Sequence, residues 1–174
     1  MSTLRGAVIT ISDSRSEETD TSGKLLTSLM AESGHEVLFR KIVKDDIYHI
    51  RLAISECIAD EKINFVVTTG GTGVTGRDVT PEAVRPLFDK EIDGFSELFR
   101  WISYQEIGTS TIQSRSLAGI SNGTFIFCLP GSSSACRTGW TQIISKQLDL
   151  HTKPCNFAQL LSRLRESSGQ PSTS

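Results

Sequence analysis

The stretch Ile63-Asn64-Phe65-Val66-Val67-Thr68-Thr69-Gly70-Gly71-Thr72-Gly73-Val74-Thr75-Gly76-Arg77-Asp78-Val79-Thr80-Pro81 decides the fold. Its first seven residues are nearly continuous in apolar character at their centre, as in a strand buried on both faces of a sheet. The run of glycines and threonines leaves the carboxyl end of that strand. Thr80-Pro81-Glu82-Ala83 then reads as a helix start, with Thr80 as N-cap, Pro81 at the first helical position and Glu82 in the first turn. In open α/β sheets, ligands bind in the crevice outside such strand ends. Glycines let backbone N–H groups approach an anion closely, and threonine hydroxyls add donors. Thr69, Gly70, Gly71, Thr72 and Gly73 are therefore expected to cradle a phosphate or another anionic group.

Two familiar patterns overlap this loop, and neither holds. Gly71-x-Gly73-x-x-Gly76 satisfies the dinucleotide fingerprint, but that motif opens its helix within the glycines and has an acidic residue about 20 positions on. Here the helix signal waits until Thr80-Pro81. Gly71 and Gly76 have the spacing of a phosphate-binding P-loop, which continues with Lys and then Ser or Thr. This chain has Arg77 and Asp78. A plain strand-to-helix turn needs one or two glycines, not four. Asp78 is the informative residue. A carboxylate inside a phosphate loop repels an anionic ligand unless a cation stands between them, and Mg2+ typically takes one or two carboxylates plus phosphate oxygens. A turn or capping role is the alternative for Asp78.

Outward from the loop, strands and helices alternate. Gly6 to Ser12 is a first strand. Asp20-Thr21-Ser22-Gly23 opens a helix with Leu25, Leu26, Leu29 and Met30 on its apolar face, closed by Gly34. Glu36 to Val43 is a second strand, and Asp45-Asp46 begins a helix faced by Ile47, Ile50, Ile54, Cys57 and Ile58. Further helices are predicted over Phe95 to Tyr104 and Ser133 to Leu148, and a buried strand over Thr124 to Leu129. The alternation predicts an α/β domain with a mainly parallel sheet. Pro130-Gly131-Ser132, between a strand and a helix, forms a second anion site or a simple serine cap. Asp45 can cap its helix and still face the crevice. Asp13 can meet a ligand or shape its own loop. Arg115 and Arg137 are candidate phosphate partners.

Composition bounds the function. The chain has 174 residues, 37% hydrophobic and 22% charged, with a formal net charge of −2. One domain over 1–166 is expected, followed by a disordered Ser/Gly/Gln/Pro/Thr tail over 167–174. A near-neutral chain is not built to coat nucleic acid. No run approaches the roughly 20 apolar residues of a membrane span, and the first residues lack a signal-peptide pattern, so a cytoplasmic protein is expected. Cys57, Cys128, Cys136 and Cys155 form no CxxC pair, and His35, His49 and His151 are scattered. No zinc site or His-based catalysis is expected. Trp101 and Trp140 read as core or interface anchors.

The run from Gly70 to Pro81 resembles the Gly-Gly-Thr-Gly…Arg-Asp-x-Thr-Pro motif of the molybdopterin-binding MoaB/MogA family. Ile11-Ser12-Asp13, Asp20-x-Ser22-Gly23, Asp45, Ser114-Arg115 and Leu129-Pro130-Gly131-Ser132 extend the likeness, as do Glu106 to Thr111 and Pro154 to Phe157. The resemblance covers all but about the last dozen residues. It implies a three-layer α/β domain that binds molybdopterin, a pterin with a dithiolene and a terminal phosphate. Catalytic members use ATP and Mg2+ to adenylylate that phosphate and pass the product to a separate molybdenum-inserting protein. They assemble as homotrimers or hexamers. The family's two important aspartates align with Asp45 and Asp78, implied to be catalytic and to hold the metal. Ligand contacts are implied for Ser12, Asp13, Arg77, Thr80, Ser114, Arg115, Pro130, Gly131 and Ser132 beside the glycine cradle. Lys44 stands where adenylyltransferase members often have Pro, but both carboxylates are kept, which favours an enzyme. The alternative is a non-catalytic molybdopterin carrier or scaffold, and a dehydrogenase is disfavoured by the late helix start. Phe95, Leu98, Phe99, Trp101 and Ile102 are the expected oligomer patch.

Overall fold

In the computed structural model, which describes residues 3–165, Phe65–Thr69 forms a strand with every residue buried. Phe65 and Val67 face one side of the sheet and Val66 the other. The strand is buried throughout because both its faces are covered, and its last two residues, Thr68 and Thr69, are buried hydroxyls at the site end. The expected tail, 167–174, lies outside the described residues.

The chain runs β1 (Arg5–Ile11), α1 (Thr21–Glu32), β2 (Glu36–Val43), α2 (Ile47–Ala59), β3 (Phe65–Thr69), α3 (Thr80–Val84), β4 (Lys90–Glu91) and α4 (Asp93–Ile107). A 3-10 segment, Gly108–Gln113, leads to β5 (Leu117–Ser121) and β6 (Thr124–Leu129). Then α5 (Ser133–Gly139), a π turn (Trp140–Ile144) and α6 (Ser145–Gln147) make one helical run. The sheet order is β2-β1-β3-β6-β5-β4. The first four strands are parallel, while β5 and β4 are antiparallel to their neighbours.

Three layers result. On one face Leu26, Leu29 and Met30 of α1, Phe95 and Phe99 of α4, and Trp140 with Ile144 pack on Val8, Phe65, Val67 and Phe127. On the other, Ile50, Ile54 and Cys57 of α2 and Ala83 and Val84 of α3 pack on Ala7, Ile9, Val66 and Ile126. Each such fully buried Val, Leu, Ile or Phe contributes about 1.5–3 kcal/mol of transfer free energy. Cys57, Cys128 and Cys136 are buried within these layers. Burial pushes all three thiols up to about 12, which keeps them unreactive.

Three expectations change. Thr80 is not the N-cap of α3. That position is Val79, without a side-chain cap bond. Thr80 turns inward instead: its hydroxyl donates to the Gly70 carbonyl at 2.9 Å and its backbone N–H to that of Gly71 at 3.0 Å, so it ties the loop's start to its end. Second, β5 was not predicted, although Asn122-Gly123, both at positive φ, closes the hairpin into β6. Third, Phe95 and Phe99 belong to the core, and Ile102 packs against it. Leu98 and Trp101 remain exposed, joined by Tyr104, Ile107 and Ile112.

Among the described residues, no helix is long and apolar enough to cross a membrane.

Candidate functional site

The chain passes from β1 through α1 to β2 on one side, then through α2 to β3 on the other side of β1. That reversal opens a crevice at the carboxyl ends of β1 and β3, the switch point where open α/β sheets bind ligands. A cavity of about 470 Å3 lies there. Its walls come from four strand ends: Ile11 and Ser12 at the end of β1, Asp45 after β2, Thr69 to Gly73 at the end of β3, and Pro130 to Ser132 after β6. The far wall is the end of α4 and the following 3-10 segment, with Ser103, Ile107, Ser110 and Thr111.

The floor joins the two loops. The Thr69 hydroxyl lies 2.9 Å from the Pro130 carbonyl and 3.1 Å from Ser22 Oγ. Its one proton goes to the carbonyl, leaving Ser22 to donate back. Cys136 Sγ lies 3.2 Å from the same hydroxyl. Ser22 is placed by α1, whose N-cap Asp20 is fully buried and accepts from Gly23 N–H and Thr10 Oγ1. Ser132 Oγ caps α5 by accepting from Ala135 N–H at 3.2 Å.

The glycines differ. Gly70 and Gly71 have φ of +108° and +66°, so both need the freedom only glycine has. Gly73 does not, but a Cβ there would meet Asp78 Oδ2 at 2.6 Å. At Gly76 a Cβ would meet nothing within 4 Å.

Both aspartates line the cavity. Asp46, not Asp45, caps α2, accepting from Tyr48 and His49 N–H groups at 3.0 Å each. Asp45 is left facing the crevice, and its Oδ1 is buried with no hydrogen-bond partner. Desolvation pushes its carboxyl up to about 6, with the charges of Asp13 and Asp78 adding to the rise and a Val79 backbone N–H opposing it. Asp78 behaves oppositely. Its Oδ2 accepts from Thr75 Oγ1 at 2.6 Å and Thr75 N–H at 2.9 Å, and these bonds hold it below the usual carboxylate range.

Five sequence-predicted residues stand outside the cavity lining, one of them Arg137, exposed on α5. Asp13 accepts from the Asp45 backbone N–H and from two nitrogens of Arg77, so the pair braces two loops. Thr80 stitches the glycine loop, as above. Arg115 does the same from the other side: Nε donates to Gly73 O at 2.7 Å, Nη2 to Asp78 O at 2.8 Å, and Nη1 pairs with Glu82. Replacing Arg115 by Gln is expected to cost about 1–3 kcal/mol in urea unfolding, because two buried-side carbonyls lose a charged donor. Lys, a point donor, should not restore it, since it cannot span both carbonyls. A wild-type midpoint in the Lys variant would show that the fork is not what matters.

The chain matches the family model described as "Probable molybdopterin binding domain" over residues 7–150. It belongs to this family. A curated relative, molybdenum cofactor biosynthesis protein B of Escherichia coli (strain K12), is 52% identical over 153 residues, spanning 88% of this chain and 90% of the relative. A crystal structure of a molybdenum cofactor biosynthesis protein B superposes with TM-score 0.85 at 44% identity, covering 93% and 96% of the two chains. The tungsten cofactor synthesizing protein MoaB from Pyrococcus furiosus gives 0.78 at 38% identity, covering 95% and 99%. Within the family fold, sequence reading missed Arg15, Ser103, Ile107 and Ser110 on the cavity wall. The cluster Gly108-Thr109-Ser110-Thr111 was the one available signal, since small hydroxyl residues crowd there for no helical reason.

Proposed function

We propose that this chain works in molybdenum cofactor biosynthesis in the cytoplasm, binding molybdopterin and adenylylating its terminal phosphate with ATP and Mg2+. The observation that carries the reading is the buried, unpartnered Oδ1 of Asp45 beside a glycine cradle at the sheet's switch point. A desolvated carboxylate oxygen without a partner is costly when charged, and at neutral pH a bound cation offsets that cost. Asp45 fits Mg2+ through that oxygen. Asp78 fits it through the carboxylate capacity not used by Thr75. When bound, Mg2+ screens phosphate charge and offsets the charge that develops during transfer.

In the proposed reaction a terminal phosphate oxygen of molybdopterin bonds to the α-phosphorus of ATP. The bond from that phosphorus to the bridging oxygen of the β-phosphate breaks, and pyrophosphate leaves. Such chemistry needs positioning and charge compensation more than a protein nucleophile. Among the described residues, the cavity lining has hydroxyls, glycine amides, two carboxylates and one arginine, but no His or Cys. The Gly70–Gly73 backbone and the Ser132 loop are suited to hold one phosphorylated partner each.

One observation favours the binding-only alternative: a single cationic side chain, Arg15, lines the cavity. The two readings separate in one experiment. The protein is incubated with molybdopterin, ATP and Mg2+, and the pterin is analysed by mass spectrometry. Adenylylated pterin is expected, whereas bound but unmodified pterin would leave the carrier role.

The functional unit is a homo-oligomer built on a trimer, and it passes its product to another molybdenum cofactor enzyme. Support for assembly comes from the exposed apolar stripe of Leu98, Trp101, Tyr104 and Ile107 along α4, continued by Ile112. Sedimentation at micromolar concentration should show a species of several 19.0 kDa chains, and a monomer alone would remove the assignment.

A further inference from the structure

We propose that Arg15 is the phosphate-gripping side chain of the cavity, an assignment that rests on reading the cavity as a site for phosphorylated ligands. Arg77, Arg115 and Arg40 are committed to protein partners, and Arg137 of α5 does not line the cavity. Arg77 gives Nε and Nη2 to Asp13 at 2.9 and 2.7 Å. Arg115 gives Nε and Nη2 to the Gly73 and Asp78 carbonyls and Nη1 to Glu82. Arg40 is held by Asp20 and Glu17. These three shape the loops, and none of them lines the cavity.

Arg15 differs in both respects. It lines the cavity, and its guanidinium makes one bond, from Nη1 to the Thr19 carbonyl at 3.0 Å. A guanidinium has five N–H donors in a rigid fork, so most of this one's donors meet no partner among the described residues. Its backbone is already placed. Ser12 Oγ accepts from the Ser14 and Arg15 N–H groups at 3.2 and 3.1 Å, and the Thr19 and Asp20 N–H groups bond to the Ser16 carbonyl at 3.1 and 2.9 Å. The loop between β1 and α1 is thus tied at both ends, with the free fork at the cavity rim. Asp45 and Asp78 both repel an anion that arrives without a cation, so Arg15 supplies the one formal positive charge the protein sets in the lining. A fork of this kind fits two oxygens of a phosphate. The terminal phosphate of a pterin and the polyphosphate of a nucleotide share that chemistry.

The test is equilibrium binding of molybdopterin, ATP and inorganic pyrophosphate, each alone, to the wild type, Arg15→Gln and Arg15→Lys. Arg15 is exposed, so circular dichroism and thermal midpoint should not change. Arg15→Gln should weaken at least one ligand about 10- to 100-fold, with Arg15→Lys in between. A loss confined to molybdopterin places the fork on the pterin phosphate. A loss shared by ATP and pyrophosphate places it on the nucleotide, and a loss for all three places it where both phosphates meet. Binding of all three within twofold of wild type overturns the assignment. If the wild type binds pyrophosphate through Arg15 but neither molybdopterin nor ATP, Arg15 stands and the functional reading falls. If it binds none of the three, both fall.

Discussion

Asp45→Asn is expected to lower adenylyl transfer by about a hundredfold or more while molybdopterin binding stays within a few-fold of wild type. The change removes the negative charge from the carboxylate whose buried oxygen the fold leaves without a partner, and transition-state charge compensation of about 3 kcal/mol or more goes with it. Asp78→Asn is expected to be milder, because an amide oxygen can still accept from Thr75 and hold the loop. The same change should alter stability with pH. In the folded protein the Asp45 carboxyl titrates at about 6, above its ordinary 3.8. Below about pH 4 both states are protonated and the group contributes nothing. Between about 4 and 6 the folded state keeps a proton that the unfolded state has lost, so stability falls as pH rises. Discounted for the partial exposure of the side chain, the fall is about 1 kcal/mol. Wild type should therefore lose about that much more than Asp45→Asn between pH 4 and pH 7. Millimolar Mg2+ should raise the wild-type midpoint at pH 7 and leave the variant's unchanged. Wild-type turnover in Asp45→Asn, or identical pH slopes, would remove Asp45 from the cation site.

Much of this architecture is legible in local pattern. The limits of β2 and β6 match the expected Glu36 to Val43 and Thr124 to Leu129, because apolar runs bounded by turn residues mark strands directly. β5 escaped because Leu117-Ala118-Gly119-Ile120-Ser121 has a glycine at its centre. Only the structure shows why: the Phe88 ring occupies the place of a Cβ, at 2.4 Å. The site divides in the same way. Strand-end residues such as Ser12, Asp45, Thr69 and Ser132 are placed by their own element, so their spacing reveals them. Whether a guanidinium meets a phosphate or a backbone carbonyl depends on loops distant in sequence. Arg77 and Arg115, implied as ligand contacts, are bonded here to Asp13, Glu82 and the Gly73 and Asp78 carbonyls, while Arg15, which lines the cavity, carries no local sequence signal. The burial of one oxygen of Asp45 has no sequence signal at all.

Gly70→Ala is expected to be the most destabilising change in the glycine loop, and Gly76→Ala the least. At Gly70 the backbone has φ of +108°, and a Cβ would lie 2.1 Å from the Ile11 carbonyl oxygen. That oxygen is backbone at the end of β1, beside β3 in the parallel sheet, so it cannot swing away. Backbone strain of about 1–2 kcal/mol and overpacking of about 1–3 kcal/mol both apply. Their sum is a large part of a typical stability of about 5–15 kcal/mol. Gly71→Ala adds strain at φ +66° and drives its methyl into Thr80 Oγ1 at 2.3 Å and Asp45 Oδ1 at 2.8 Å. It should therefore damage the loop stitch and the cation site together. Gly73→Ala pushes only against the Asp78 carboxylate, at 2.6 Å, and should cost ligand binding more than stability. Gly131→Ala brings a methyl to 3.5 Å from Gly70 Cα, an ordinary contact, and Gly76→Ala meets open space. Urea unfolding of the five variants should rank Gly70 first, Gly71 next, and Gly131 and Gly76 within about 0.5 kcal/mol of wild type. The same proteins assayed for molybdopterin binding should show Gly73→Ala folded but impaired. Equal stability for Gly70→Ala and Gly76→Ala would mean that the loop does not hold its left-handed turn against β1. The cradle at the switch point would then lose its physical basis.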